Sequence, residues 1–93
     1  MTPLITAYLA WLKSGDWRRW RALDPKGIQP RYKDWLEQAK RLEQGRQQEG
    51  IPVVRVAVDP EQFAAWCRQA GVEPDSRARA NFAYEIGTRN QMH

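Results

Sequence analysis

The stretch IPVVRVAVDPEQ, residues 51–62, changes its hydrophobic period halfway, and this change decides how the rest of the chain is interpreted. Its first half alternates like a strand, with Val54, Val56 and Val58 on one side and Val53, Arg55 and Ala57 on the other. The sequence therefore predicts one short β segment at about residues 53–58. A single strand cannot satisfy its own backbone groups and needs a partner. Because no second stretch is this strand-like, we expect the pairing to come from a short extended piece near GIQP, residues 27–30, or from a second copy of the protein.

The second half of the same stretch starts a helix. Asp59 is a suitable N-cap, Pro60 suits the first helical position, and Gln62 is placed to complete a capping box. Gly71 marks the end of this helix. Its apolar face consists of Phe63, Trp66, Cys67 and Ala70.

A last helix follows the turn GVEPDS, residues 71–76, and is capped by Asp75 or Ser76. The polar segment TRNQMH, residues 88–93, marks its fraying end after Gly87. The two helices together predict a C-terminal helical hairpin. The inward side of the last helix consists of Ala78, Phe82, Ala83 and Ile86.

The strand and two helices from residue 53 to about 88 resemble the ribbon-helix-helix family of DNA-binding proteins. In that family two copies pair their strands, and the paired ribbon enters the major groove of DNA. The resemblance implies a homodimer whose ribbon face consists of Val53, Arg55 and Ala57, of which only Arg55 can hydrogen-bond to a base. The turn 71–76 is longer and more acidic than the family's usual link, and the basic N-terminal part has no counterpart there.

A helix-turn-helix is a second interpretation of residues 61–85. Arg77, Arg79 and Asn81 lie on its second helix, and these residue types suit phosphates and base edges. The acidic turn is again longer than the three or four residues expected of this motif. A plain helical hairpin, in which Arg77 and Arg79 are solvated, fits the same residues.

The front of the chain contains the arginine-rich stretch GDWRRWRALDP, residues 15–25. Asp16 can cap a short helix that ends before Asp24-Pro25, because the residue before a proline avoids the helical region. Trp17, Trp20 and Leu23 then form one apolar stripe, while Arg18 and Arg19 point away from it. We expect the tryptophans in the core and the outward arginines, Arg21 included, in water, where they are available to phosphate.

Two more helices are predicted on either side of this stretch. The first covers MTPLITAYLAWLK, residues 1–13, with Thr2 as cap, Pro3 at the first position and Ser14-Gly15 as the stop. Its apolar side consists of Leu4, Tyr8, Trp11 and Leu12. The second covers PRYKDWLEQAKRLEQ, residues 30–44, and buries Tyr32, Trp35, Leu36, Ala39 and Leu42.

These elements predict a mainly α fold: one small domain, residues 1–93, of four to five short helices with a single β segment before the hairpin. The front helical part covers residues 1–46, a loop covers 45–51, the strand-helix-helix part covers 52–88, and residues 89–93 fray. At 93 residues the chain folds alone with a modest buried surface, so a large internal active-site cavity is not expected.

The charge lies mainly in the front half. The chain has a net charge of +4, and residues 1–46 carry ten basic and five acidic side chains, against five and six in residues 47–93. A polyanion would therefore contact the front half.

Residues that carry catalysis are scarce. His93 lies at a terminus, and Cys67 lies on an apolar face that raises a thiol pKa. No Gly-rich phosphate loop or metal-ligand spacing occurs, so we predict a non-enzyme without cofactor or metal. With no apolar signal segment and no membrane span, we expect a cytoplasmic protein that does not bind membranes.

The leading functional hypothesis is that of a small bacterial accessory or regulatory protein that binds nucleic acid, most simply duplex DNA. It would contact phosphates through Arg18, Arg19, Arg21, Arg77 and Arg79. The alternative is a protein-interaction module or homodimer, in which the edge formed by Val53, Arg55 and Ala57 pairs with another chain. No small-molecule substrate is evident.

Overall fold

A computed structural model describes residues 5–91 and confirms a small, mainly α protein. The described part contains two strands, four α-helices and one 3-10 turn, Ser14–Asp16. The strands are β1, Ala7–Trp11, and β2, Val53–Ala57. The helices are α1, Trp17–Leu23; α2, Tyr32–Gln48; α3, Pro60–Ala70; and α4, Ser76–Gln91.

The helix predicted over residues 1–13 is wrong, because Ala7–Trp11 is a strand. The run AYLAWL, residues 7–12, is apolar at every position, so it has no polar face by which a surface helix is recognised. A short continuous apolar run is equally typical of a strand with both faces covered. The predicted cap at Thr2 and Pro3 lies outside the described residues.

The partner of β2 is β1, and neither the GIQP segment nor a second copy is needed for this pairing. The two strands run parallel in the order β1-β2, with Ala7 opposite Val53 and Trp11 opposite Ala57. The Ala7 N–H donates to the Pro52 carbonyl over 2.9 Å at one end of the pair. Parallel strands require a long crossover, which here contains α1 and α2.

Helices cover both faces of this two-stranded sheet. On one face Trp11 meets Trp35 of α2, with ring centroids 5.6 Å apart. On the other face Tyr8 meets Tyr84 of α4, also at 5.6 Å. The core lies on this second face and extends to α1 and α3. Its buried residues are Leu12, Trp17, Trp20, Ile28, Val56, Val58, Phe63, Cys67, Ala78, Phe82 and Ala83.

The core confirms the predicted apolar stripes of α1 and α4 and most of the stripe of α3, whose last predicted member, Ala70, is exposed. Trp17 and Trp20 face inward, as do Phe63 and Cys67 of α3. The capping of α3 was also predicted correctly: the Asp59 carboxylate accepts from the Gln62 N–H at 2.9 Å, and Gly71 ends α3 with a φ of +69°. Asp16, predicted to cap α1, stands at the N-cap position, but its side chain makes no capping hydrogen bond.

Helix α2 differs from its prediction in length and in packing. It continues to Gln48, so the loop predicted from residue 45 starts later, and Gly50 follows the helix with a φ of +79°. None of its 17 residues is buried, and Leu42, predicted to face the core, is 48% exposed. The reason is that a sheet of only two strands is narrow and covers only one stripe of the helix surface. The last helix also continues past Gly87, predicted as its end, as far as Gln91.

Candidate binding surfaces

Four of the five arginines predicted to contact nucleic acid are exposed, and three of them form no ion pair with another described residue. Arg18 and Arg21 lie three residues apart on α1, and Arg77 lies in the first turn of α4; all three are exposed. They enter no ion pair within residues 5–91. These side chains are accessible from solvent.

Arg19 is exposed but has a neighbour. Its Nη1 lies 3.1 Å from the Glu61 Oε1 on α3. Because both side chains are well exposed to solvent, this pair holds Arg19 only weakly and leaves it accessible.

Arg79 does not belong to a nucleic-acid surface, contrary to prediction. It is 7% exposed, and its Nη1 lies 2.8 Å from the Asp24 Oδ2. The other oxygen of Asp24 accepts from the Gly27 N–H at 3.0 Å, so the ion pair joins α4 to the loop after α1. Since moving Arg79 to a phosphate would leave the Asp24 carboxylate unpaired inside the protein, Arg79 is a structural residue.

Arg55 is also held within the chain. Its guanidinium donates two hydrogen bonds of 2.7 Å to Glu43 of α2 and lies 3.9 Å from the ring centroid of Trp11. The hydrogen bonds from Arg55 hold the pKa of Glu43 below its ordinary value. In the ribbon-helix-helix resemblance Arg55 is the base-reading residue; here its Nε and Nη2 groups donate to Glu43.

The predicted partner edge consists of Val53, Arg55 and Ala57. The backbone groups of Val53 and Ala57 lie at the outer edge of β2. In a parallel pair the bonded residues alternate, and Pro52 and Val58 bond toward β1. Val53, Arg55 and Ala57 therefore direct their N–H and C=O groups away from β1. The charged Arg55 at the centre of this edge and the prolines Pro52 and Pro60 close to its ends are features that oppose strand addition.

The opposite edge of the sheet forms a groove that sequence analysis did not predict. Its floor is β1, one wall is α2 and the other is the start of α4. The groove has a volume of about 360 Å³. It is lined mainly by Leu9, Ala10, Trp35, Ala39, Leu42 and Ala80, with Gln29, Gln38, Ser76 and Arg79 at its polar positions.

The floor of the groove is the backbone edge of β1. Trp11 accepts from the Val58 N–H at 3.4 Å and so faces β2, as Ala7 does. Ala10 lies between bonded positions, and its N–H and C=O groups therefore point toward the groove. Neighbouring strand residues Leu9 and Ala10 line the same groove, which is expected of an edge and not of a face.

One end of the groove is closed by the loop before α2. Gly27 and Gln29 line it there, and the Gln29 side chain is bonded to that of Gln38. The Trp17 indole donates to the Gln29 carbonyl at 3.0 Å, and the Tyr32 hydroxyl donates to the Leu12 carbonyl at 2.9 Å. These bonds fix the loop and α2 relative to β1, so the groove is preformed.

Glycine is required where α4 passes β1. A Cβ at Gly87 would collide with the ring of Tyr8, which lines the groove. Gly87, predicted as a helix end, instead allows the close approach of the helix to the strand.

Within residues 5–91, few side chains are suited to catalysis or to metal binding. Cys67 is 3% exposed, and burial raises the pKa of its thiol. No three histidine, cysteine, aspartate or glutamate side chains gather in this part of the chain. His93 lies outside it. None of the described helices is long and apolar enough to cross a bilayer.

Comparison with known proteins identifies a family but no function. No curated protein and no solved structure matches the chain. The model of one family, described as a domain of unknown function, matches residues 3–93. Because that match spans nearly the whole chain, the protein belongs to the DUF8829 family.

Proposed function

We propose that this protein is a non-enzymatic interaction module that binds an extended segment of a partner protein along the edge of β1. The observation that carries the proposal is the position of that edge, on the floor of an apolar groove between α2 and α4. The Ala10 backbone groups point into this groove, and such groups at an uncharged strand edge are a template for an added strand.

The geometry favours β1 over the β2 edge that the sequence indicated. Strand β1 contains no charged residue or proline, whereas β2 carries Arg55 at its centre. The groove beside β1 also offers apolar walls to the side chains of an added strand, which alternate toward α2 and toward α4. Ala10 would exchange backbone hydrogen bonds with the partner, and Leu42 and Ala80 would contact its side chains.

The proposal is tested by selecting binders from a displayed library of random twelve-residue peptides. Ala39→Gln places a neutral side chain in the groove at little cost to the helix. Ala22→Gln makes the same change at an exposed site of α1 outside the groove. We expect selected peptides to lose binding to Ala39→Gln and to keep it with Ala22→Gln. Peptides that bind both variants equally, or a library that yields no binders, would contradict the proposal.

Nucleic-acid binding is the second candidate, favoured by three exposed arginines that form no ion pair among residues 5–91, Arg18, Arg21 and Arg77. They would neutralise phosphates and release counterions, so affinity for duplex DNA would fall steeply with salt. We expect Arg18→Glu with Arg21→Glu to weaken binding more than Arg68→Glu, which reverses an exposed charge on α3. The measurement is the anisotropy of labelled duplex DNA at low and at physiological salt; no binding at low salt would remove this candidate.

For either activity the proposed setting is the cytoplasm of a bacterium. Cys67 would stay reduced there, in keeping with its burial as a free thiol. Fractionation of cells that produce the tagged protein checks the location.

A further inference from the structure

We infer that Tyr84 of α4 determines which segments the groove accepts, by contacting a bulky apolar side chain of the segment at the rim of the groove, an inference that rests on the proposed function. Tyr84 is not among the residues that line the groove itself. Its position on α4, its contact with β1 and its exposure assign it to the binding surface.

Tyr84 continues the row of α4 side chains that forms one wall of the groove. Ser76 and Ala80, four residues apart, both line the groove. Tyr84 follows Ala80 by four residues, so the three side chains lie on the same side of the helix. A segment that contacts Ala80 therefore has the Tyr84 ring beside it, one helical turn further along.

The Tyr84 ring is held in place by β1. It meets the ring of Tyr8 edge to face, with the centroids 5.6 Å apart and the planes at 84°, and Tyr8 lines the groove. Helix α4 can come this close to β1 because Gly87 has no Cβ to collide with Tyr8. Because the ring is already ordered at the rim, a partner loses less entropy in binding to it.

Tyr84 also has apolar surface left to bury. It is 60% exposed, and with Leu42 it is one of four large apolar residues that are exposed among residues 5–91. Leu42 lines the groove on the opposite wall, which α2 provides. An extended segment on β1 would cover both side chains, and tyrosines of this kind are enriched among the residues that contribute most to protein interfaces.

Tyr84 and Leu42 lie at the same level along β1. Tyr84 contacts Tyr8, and the residue after Leu42 bonds to Arg55, which stands opposite Leu9 in the sheet. The side chains of an added strand alternate between the two walls. Two successive side chains of the segment would therefore meet Leu42 on one wall and Tyr84 on the other.

The other end of the groove has a different chemistry. Gln29 and Gln38, bonded to each other, and Ser76 line it there. The bulky apolar side chains are therefore assigned to the part of the segment that lies beside the start of β1.

The segment is assigned to another protein and not to a second copy of this chain. The β1 edge lies between α2 and α4, so a two-fold pairing of β1 edges would bring the helices of one copy against those of the other. A separate extended segment reaches the floor of the groove without helices of its own.

The test uses the displayed peptides that lose binding to Ala39→Gln. We expect them to share a large aromatic or aliphatic residue at a recurring position. Tyr84→Ala should weaken the binding of such a peptide about fivefold to thirtyfold, whereas Tyr84→Phe, which keeps the ring, should retain most of the affinity. Val72→Ala provides the control, because Val72 is an apolar residue after α3 that is 45% exposed, and we expect it to leave binding unchanged.

A double-mutant cycle separates direct contact from an indirect effect. Replacing the recurring bulky residue of a synthetic peptide by Ala should lower its affinity for the parent protein and cost much less with Tyr84→Ala. Circular dichroism of Tyr84→Ala checks that its helices are retained. A peptide with benzoylphenylalanine at the recurring position tests the same contact on the unchanged protein, where we expect photocrosslinks to α4 near Tyr84 or to α2 near Leu42.

The outcomes separate this inference from the proposed function. Groove-dependent peptides that bind Tyr84→Ala as tightly as the parent, or that crosslink elsewhere, would overturn the role of Tyr84 and leave the proposed function standing. An absence of groove-dependent peptides would overturn both. A protein that dimerises in sedimentation, and becomes monomeric on Tyr84→Ala, would overturn the assignment to another protein.

Discussion

At the scale of single residues, the buried ion pair of Asp24 and Arg79 is the feature whose disruption we expect to lower the free energy of unfolding most. Arg79→Met would leave the Asp24 carboxylate buried without its partner, and we expect this to cost about 3–5 kcal/mol in the free energy of unfolding. Urea denaturation followed by tryptophan fluorescence measures the loss. The exposed Arg77→Met provides the matched control, with a change of about 0.5 kcal/mol or less.

The double variant Asp24→Asn with Arg79→Met separates lost charge balance from lost packing. It removes both charges, so we expect it to recover most of the stability that Arg79→Met loses. An Arg79→Met protein as stable as the parent would mean that the pair is not buried in solution. The sequence alone could not reveal this pair, because its members stand 55 positions apart and Arg79 resembles any arginine on an amphipathic helix.

At the scale of elements, none of the residues of α2 is fully buried, so the helix is held by the partly buried rings of Tyr32 and Trp35 together with a few polar contacts. The bond from Arg55 lowers the pKa of Glu43, so the ionised form of Glu43 is favoured in the folded state. A lowered carboxyl pKa stabilises the fold above the unfolded value, about 4.3 for Glu, and that contribution is lost as the pH falls through the folded value.

We therefore expect the stability advantage of the parent protein over Glu43→Gln to be present at pH 6 and to shrink as the pH falls below about 4.3, the unfolded value for Glu. Urea denaturation of both proteins across this range gives the difference. Glu37→Gln, another change on α2, should show no such dependence on pH, since Glu37 enters no ion pair among the described residues. A stability advantage that stays constant from pH 6 to pH 3 would contradict the stabilising role of the Glu43–Arg55 ion pair between α2 and β2.

The elements also show what local sequence can and cannot predict. Helix α1 was predictable from its apolar spacing, and helices α3 and α4 from apolar spacing together with caps within each segment, as at Asp59 and Asp75. Strand β1 was not, because AYLAWL is compatible with either a helix or a strand, and its pairing with β2 decides between them. The groove was missed for the same reason: it exists only once β1 has been placed between α2 and α4.

At the scale of the whole molecule, the basic front and the strand-helix-helix part do not form separate units. Strand β1 belongs to the first and β2 to the second, and the core combines Leu12 and Trp20 with Phe63 and Phe82. We expect a fragment of residues 50–93 to lack cooperative thermal unfolding, because β2 has lost its partner and Phe63 its cover. Circular dichroism of the fragment and of the full chain makes the comparison; a cooperative transition in the fragment would contradict a shared core.

The parallel pairing of β1 with β2 also has a consequence during synthesis of the chain. Ala7 leaves the ribosome roughly 46 residues before Val53, which at about 5–20 residues per second is a wait of roughly 2–9 s. For most of that time AYLAW is an apolar segment without its covering helices, because α2 is complete only at Gln48 and α4 begins at Ser76. The nascent chain thus exposes, for several seconds, the same strand that forms the floor of the groove in the folded protein. A chaperone that binds short apolar segments would therefore bind the nascent chain first at this strand.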